Sequence, residues 1–421
     1  MIRTLGRCVA PALLAVCLAA PALAASNGPT RGNDNIQGTS GRDRIVSLSG
    51  NDKIASRGGK DTVLSGPGRD RVDAGGGSDM VQAGPGNDTI EGANGHDRLA
   101  GSSGNDSISG GLGNDRLLGA VGLDTIDGGD GNDTIQGQGS DDRLFGGSGV
   151  DTILGAEGND AIDAGIGDDV VDGGTGSDSI LGGDGNDDLD GNGDHDSIDG
   201  GTGDDHLAGA SGDDTIAGGE GSEHINGGDG NDVLDGGPGD DGVAPGASGT
   251  AEINGGAGND RLIGGEGNDK LIGLDGDDHL DAGPGDDYSL SAGPGNDTII
   301  DGAGNDLYVK GDEGDDVIFL GPGADSAFSE QGNDTIYLYD DGFRDEIYCD
   351  DYDDIGTPAE GMNDRVFFVG RRDPLDKVVG DRNTCEVVEV IQHLPAGWPY
   401  GPVPDASARA ASSPTAERRL F

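Results

Sequence analysis

Aromatic residues are scarce in this 421-residue chain, at 4 %, with a single Trp. So few large side chains, in a chain with 87 Gly, exclude a conventional globular core of several hundred residues. Positive charge is nearly as sparse. Against 81 Asp and Glu stand 25 Lys and Arg, for a formal net charge of −56. Such a chain repels phosphate and carries no basic patch, which excludes nucleic acid as a partner. Long apolar runs are absent beyond the first two dozen residues, so no later segment can span a bilayer. Cysteine is limited to four residues. Two readings survive these absences: a solvated acidic coil, or a chain whose carboxylates are neutralised by bound cations.

The N-terminus has the form of a secretory signal. Arg3 and Arg7 precede an Ala-rich apolar stretch from Val9 to Leu23, and Ala22-Leu23-Ala24 supplies small residues for cleavage. The stretch is short and interrupted by Pro11 and Pro21, unlike a membrane anchor. Residues 1–25 are therefore expected to be removed, with Cys8 and Cys17 among them, and the chain to be exported without an integral membrane segment.

A nine-residue repeat decides the fold. The positions Asp34, Asp43, Asp52, Asp61, Asp70, Asp79, Asp88, Asp97, Asp106, Asp115, Asp124 and Asp133 are each nine apart. The column continues through Asp142, Asp151, Asp160, Asp169, Asp178, Asp187, Asp196, Asp205, Asp214, Glu223, Asp232 and Asp241, making 24 acidic residues in unbroken register. Two residues after each stands an aliphatic, from Ile36 and Ile45 to Leu234 and Val243. Two residues before each stands Gly, except at Ser140 and Asp194. In Gly128-Gly129-Asp130-Gly131-Asn132-Asp133-Thr134-Ile135-Gln136, six residues rich in Gly, Asn and Asp make a turn. The last three make a minimal strand with its centre inward. Two units close one coil of eighteen residues. Stacked coils form two parallel sheets with the aliphatics between them, a rod of about seventeen coils and roughly 80 Å.

One aliphatic per nine residues is too small a core to offset the entropy of ordering a Gly-rich chain. Each coil also stacks one Asp over another: Asp34 beneath Asp52, Asp43 beneath Asp61. The fold therefore requires a cation between stacked turns, and carboxylates with turn carbonyls are hard oxygen ligands suited to Ca²⁺.

The unit Gly-Gly-X-Gly-Asn/Asp-Asp-X-aliphatic-X resembles the hemolysin-type calcium-binding repeat of RTX proteins. The resemblance spans residues 32–337 and implies an all-β, right-handed parallel β-roll, with Ca²⁺ held by the sixth-position Asp and the carbonyls of the Gly-rich turn. On this chain the implied ligands are the Asp column above, continued at Asp260, Asp269, Asp278, Asp287, Asp297, Asp306 and Asp316. Glu223 is a longer carboxylate in the same place. The register departs from nine near 242–254, where the turn ending at Ala251 lacks its Asp, and again over 287–316. A bulge near residue 245 and a ragged final stretch are expected. RTX toxins leave the cell without an N-terminal signal. This chain has one and lacks the acylated toxin domain, which points to general secretion.

Fourteen of the fifteen aromatic residues lie at or after Tyr288. Residues 338–394 have ordinary composition and read as a C-terminal cap on the open edge of the roll. Cys349 and Cys385 both lie there, and two thiols in an exported chain imply a disulfide. Residues 395–421, rich in Ala, Pro, Ser and Arg, read as a disordered tail.

No catalytic constellation stands out. His96, His195, His206, His224 and His279 occupy variable slots of the repeats and read as solvent-facing substitutions. The Gly-X-Gly strings lack the strand–helix setting of a nucleotide loop. Arg44, Arg98 and Arg116 read as charge compensation. The function expected is a secreted calcium-binding scaffold or surface protein with no chemistry of its own. The first alternative is a calcium-dependent adhesin or a glycan- or ice-binding solenoid. Its outward strand positions (Asn35, Lys53, Arg71, Thr89, Ser107, Thr125, Arg143) are mixed rather than a Thr ladder. A polysaccharide-active enzyme of the β-helix type is the second; such enzymes have longer coils and a cleft.

Overall fold

The structure, a computed structural model, describes residues 30–241, 252–339, 341, 343–349, 364–369, 376–379, 385–391 and 398–400. Across them run 37 strands, stacked as a β-solenoid of about 17 coils. All named pairings are parallel and join strands two apart in the chain, so alternate strands build two separate ladders. In one, Asn35–Gln37 pairs with Lys53–Ala55 and that with Arg71–Asp73. In the other, Arg44–Val46 pairs with Thr62–Leu64 and that with Met80–Pro85. Identical positions therefore stack. Ile126 lies over Ile108 and under Leu144, Leu117 over Leu99 and under Ile135. The aliphatic column of the sequence is the core, with Ile36 its most accessible member in the first coil at 7 % exposed and Ile126, Ile135 and Leu144 fully enclosed.

The strands are longer than the sequence pattern predicts. Thr134–Gly139 and most of its neighbours run six residues, three of them from the Gly-rich segment read as turn. Stacking explains the difference. Where every coil repeats the same backbone path, N–H and C=O groups meet their equivalents in the next coil even where the path bends. The bend falls at two left-handed positions. Gly111 has φ 104° and Gly113 has φ 123°, and a Cβ on Gly113 would lie 1.5 Å from the carbonyl oxygen of Gly95 in the coil below. That close approach is why the Gly column is nearly invariant along the chain. Its two exceptions, Ser140 and Asp194, adopt φ 89° and 75°.

Both departures from nine-residue spacing are resolved without loss of stacking. The expected one-residue slip near 245 is instead a ten-residue excursion. Asp241 occupies a normal turn, the next strand begins at Ile253, and Ile253 stacks on Ile225. Hence the Asp232–Asp260 and Asp241–Asp269 steps span 28 residues rather than 18. Residues 242–251, with the turn ending at Ala251, lie outside the described residues. At the later slips one extra residue follows the Asp. Leu290 still stacks on Leu271 and Val309 on Leu290. The surplus is pushed outward at Leu307 and at Tyr308, which takes φ 60°.

The described strands of 338–394 extend the same two ladders. Asp364–Val369 pairs with Thr335–Tyr339 and with Cys385–Ile391, while Glu346–Tyr348 pairs with Ser326–Phe328 and Lys377–Val379. Aromatics climb these last coils in two stacks. Phe319, Tyr337 and Phe367 have ring centroids 5.2 and 5.3 Å apart; Tyr308, Phe328 and Tyr348 are 6.2 and 4.7 Å apart. Trp398 and Tyr400, which the composition assigns to the tail, pack here against Phe319 and Tyr339. The signal segment, the rest of the tail and the Cys385 side chain lie outside the described residues.

Candidate metal centre

Most strands are preceded by an aspartate that the coil geometry turns inward. From Asp43 through Asp316, every aspartate of the predicted column is at most 3 % exposed; Asp34, in the first coil, is half-buried. One carboxylate oxygen of each is used structurally. The backbone N–H of Asp97 donates to Oδ1 of Asp115 at 2.7 Å, that of Asp115 to Asp133 at 2.7 Å, and that of Asp133 to Asp151 at 2.7 Å. Each carboxylate thus reaches back to the preceding coil on its own edge, as the eighteen-residue pairing requires. The neighbouring Asn/Asp column reaches the opposite way, its side chains accepting from N–H groups of the following coil. The N–H of Asn105 donates to Oδ1 of Asn87 at 3.1 Å. His96 and His195 take that role with a ring nitrogen, Nδ1 accepting from Asn114 at 2.7 Å and Asp213 at 2.6 Å. They remain exposed yet are tied into the stack, a part the sequence reading missed.

The second oxygen is left over. Oδ2 of Asp52 and of every later column aspartate through Asp334 is enclosed and has no hydrogen-bond partner. Buried polar groups are almost always satisfied, and an unpaired carboxylate is costlier than a neutral group. A regular series of orphaned oxygens therefore marks a missing counter-charge. The surroundings fit a hard cation. At Gly110, Oδ2 of Asp115 and the carbonyl oxygen of Gly128 both stand 2.5 Å from the point a Cβ would occupy. Gly128, Gly155 and Gly182 have the same environment, with carboxylate and carbonyl oxygens at 2.4–2.5 Å. Oxygens of these two kinds, converging in a space that a methyl group would fill, are the donor set Ca²⁺ takes.

Electrostatics agree. Burial, opposed by the backbone hydrogen bond and aided by the aspartates above and below, pushes Asp97, Asp106, Asp133, Asp142, Asp169 and Asp196 up to about 7. Glu223, whose longer side chain crowds Asp241, is pushed up to about 10, burial being the largest cause. Without a cation these carboxyls keep their protons to higher pH than an exposed aspartate does.

The column also runs further than the sequence reading carried it. Asp325 and Asp334 belong to it, and the same bond continues from Asp325 to Asp345, Asp334 to Asp364 and Asp345 to Asp376, across steps of 20, 30 and 31 residues. Irregular spacing hid these three. The surviving signal was the doublet of Asp followed two residues later by an aliphatic: Asp345 and Ile347, Asp364 and Val366, Asp376 and Val378. Asp301 is a different case and stands outside the column.

On the outer face, Arg98 and Arg116 stack on consecutive strands and line a groove of ≈ 400 Å³ with Met80, Leu118 and Gln136. Arg44 lies further along the same ladder, separated from them by Thr62 and Met80.

A parallel β-roll carrying one unpartnered carboxylate oxygen per turn defines a calcium-binding repeat protein. The chain belongs to the RTX calcium-binding nonapeptide repeat family, whose model matches it in successive segments from residue 30 to residue 336, with a break at 248–253. No curated protein matches the chain. Among the described residues no helix is long and apolar enough to cross a membrane.

Proposed function

We propose that this is a secreted protein whose roll assembles on calcium outside the cell and serves there as a scaffold or surface element, without chemistry of its own. The observation that carries this reading is the series of enclosed, unpartnered Oδ2 atoms, one for each turn. Export rests on the N-terminal signal pattern. The ions are held by the column aspartates from Asp34 to Asp316, joined by Asp325, Asp334 and the later members, with carbonyls of the Gly-rich turns completing each shell. About 30 ions are expected if each lies between adjacent turns, a load that also balances the charge of −56. Metal analysis of the calcium-saturated, gel-filtered protein should return roughly that number; a handful of ions per chain would overturn the assignment of the column as ligands.

The C-terminal coils are closed, in this reading, by a Cys349–Cys385 disulfide. Cys349 is 1 % exposed, and the strand Cys385–Ile391 lies in the last coil against Asp364–Val369. Closing that loop removes entropy from the unfolded chain worth about 4 kcal/mol. Intact-mass and peptide mapping of unreduced protein should show the bridge, and reduction should lower the melting temperature of the C-terminal coils first. Two free thiols in secreted material would refute the pairing.

A further inference from the structure

The first position of each turn carries a small residue along nearly the whole array: Gly110, Gly128 and Gly155 in the middle, Ser47, Ser56 and Ser65 at the start, Ala282 and Ala292 near the end. The reason is the cradle described above, into which a side chain at that position must point. At residue 301 the position holds an aspartate. Asp301 is fully buried, and one carboxylate oxygen each from Asp301, Asp306 and Asp325 lie within 4.8 Å of one another.

One edge of Asp301 is saturated. Its Oδ1 accepts the N–H of Gly321 at 2.7 Å and the hydroxyl of Tyr400 at 2.8 Å. Tyr400 is fixed in turn, standing 3.0 Å from the carbonyl oxygen of Phe319 and accepting from the N–H of Gly302 at 3.1 Å. The Oδ1 atoms of Asp306 and Asp325 are likewise occupied, by the N–H groups of Asp287 at 2.8 Å and Asp306 at 3.0 Å. In all three residues Oδ2 is enclosed and unpartnered. Three buried carboxylates, each with one oxygen held and the other free, repel one another unless a cation lies among them.

We infer that Asp301, Asp306 and Asp325 form a distinct, high-charge cation site for a single calcium ion, which the C-terminal segment closes through Tyr400. The inference rests on the calcium reading of the array, and goes beyond it. An ordinary turn contributes carboxylates from the column alone, whereas here the side chain of the turn's first residue adds a third. Higher ligand charge and a rigid, hydrogen-bonded shell raise calcium affinity, so this site fills first and empties last. Tyr400 comes from 75 residues or more along the chain from the site's aspartates. Its hydroxyl orients Asp301, which couples seating of the C-terminal segment to occupancy.

The chain's one Trp provides a local reporter. Trp398 lies 5.4 Å from Tyr400, ring centre to ring centre. Terbium(III), a luminescent substitute for calcium, is titrated into the chelated full-length protein with Trp excitation, and calcium is used to compete it off. Sensitised emission should appear with the first equivalent, before the array fills. Asp301→Gly restores the residue typical of the first turn position. It should lower the affinity of that first ion by about tenfold or more and abolish most of the early emission, leaving the calcium-dependent β-structure of the array intact. Asp301→Asn, which keeps the side chain's size, should do the same and separates lost charge from lost packing. Equal affinity and equal early emission in wild type and both variants overturn the inference while the calcium reading stands. If wild type neither binds calcium nor gains β-structure on it, the calcium reading falls and takes this site with it.

Discussion

Adding calcium to chelated protein should convert a largely unstructured chain into β-structure, cooperatively, and a chelator should reverse the change. The core contributes one aliphatic per nine residues, and each coil buries two carboxylates whose Oδ2 atoms have no partner. Without metal these terms oppose folding. With metal, the free energy of binding is free energy of folding. Extracellular calcium modules respond at roughly 10⁻⁴–10⁻³ M, so the chain stays extended where calcium is scarce and closes where it is abundant. Magnesium should substitute poorly, because it demands compact octahedral geometry and keeps its water. The C-terminal coils, with their two aromatic stacks, are the expected point of nucleation, and the rest propagates by nearest-neighbour stacking. Far-ultraviolet circular dichroism with sedimentation velocity decides the matter. A chelated protein that keeps its β-signal and its compact hydrodynamic size would mean that calcium only decorates a fold that stands without it.

Acid should partly replace calcium. Burial raises the column aspartates from an ordinary value of 3.8 to about 6 or 7 over much of the array, and to about 8 at Asp269, Asp334 and Asp345. Between about pH 4 and 7 the folded, metal-free roll therefore binds more protons than the unfolded chain. Its stability rises as pH falls through that window and is lost as pH rises through it, the reverse of ordinary acid denaturation. Protonation also relieves the self-repulsion of a chain at −56. Chelated protein should show more β-structure and a smaller hydrodynamic radius at pH 5 than at pH 8. Protons and calcium compete for the same oxygens, so calcium should bind more weakly at pH 5. Identical spectra for the chelated protein at both values, or a calcium affinity that does not move, would contradict the assignment of these carboxylates as the sites.

Most of the roll was legible because its physics is periodic. Three coupled columns (Gly, Asp and aliphatic) specify turn, ligand and core at one spacing, and from them follow the two-unit coil and the stacking of Asp52 over Asp34. What escaped was whatever depends on neighbours in the next coil. The six-residue strands were hidden because hydrogen bonding between identical coils does not require strand-like composition. The ten-residue excursion after Asp241 looked like a slip, since the sequence pattern runs on unbroken to Val243 while the next paired strand begins at Ile253. Asp345, Asp364 and Asp376 were concealed by long connections, although each kept its aliphatic two residues on. Asp301 stood out only as an acidic residue at the small first position of its turn. Its meaning comes from Tyr400, which arrives from 99 residues away.

The excursion at 242–251 leaves both flanking carboxylate bonds in place, at 2.8 and 2.9 Å. Pitch and contour length are thus independent in this molecule. The rise of the roll is set by backbone meeting backbone between coils, and chain that leaves between an aspartate and its following strand returns to the same register. Lengthening such a detour adds closure entropy only slowly. The roll is in effect a rack with evenly spaced pegs, on which a foreign segment can be hung at the edge without altering the spacing of the pegs above and below it.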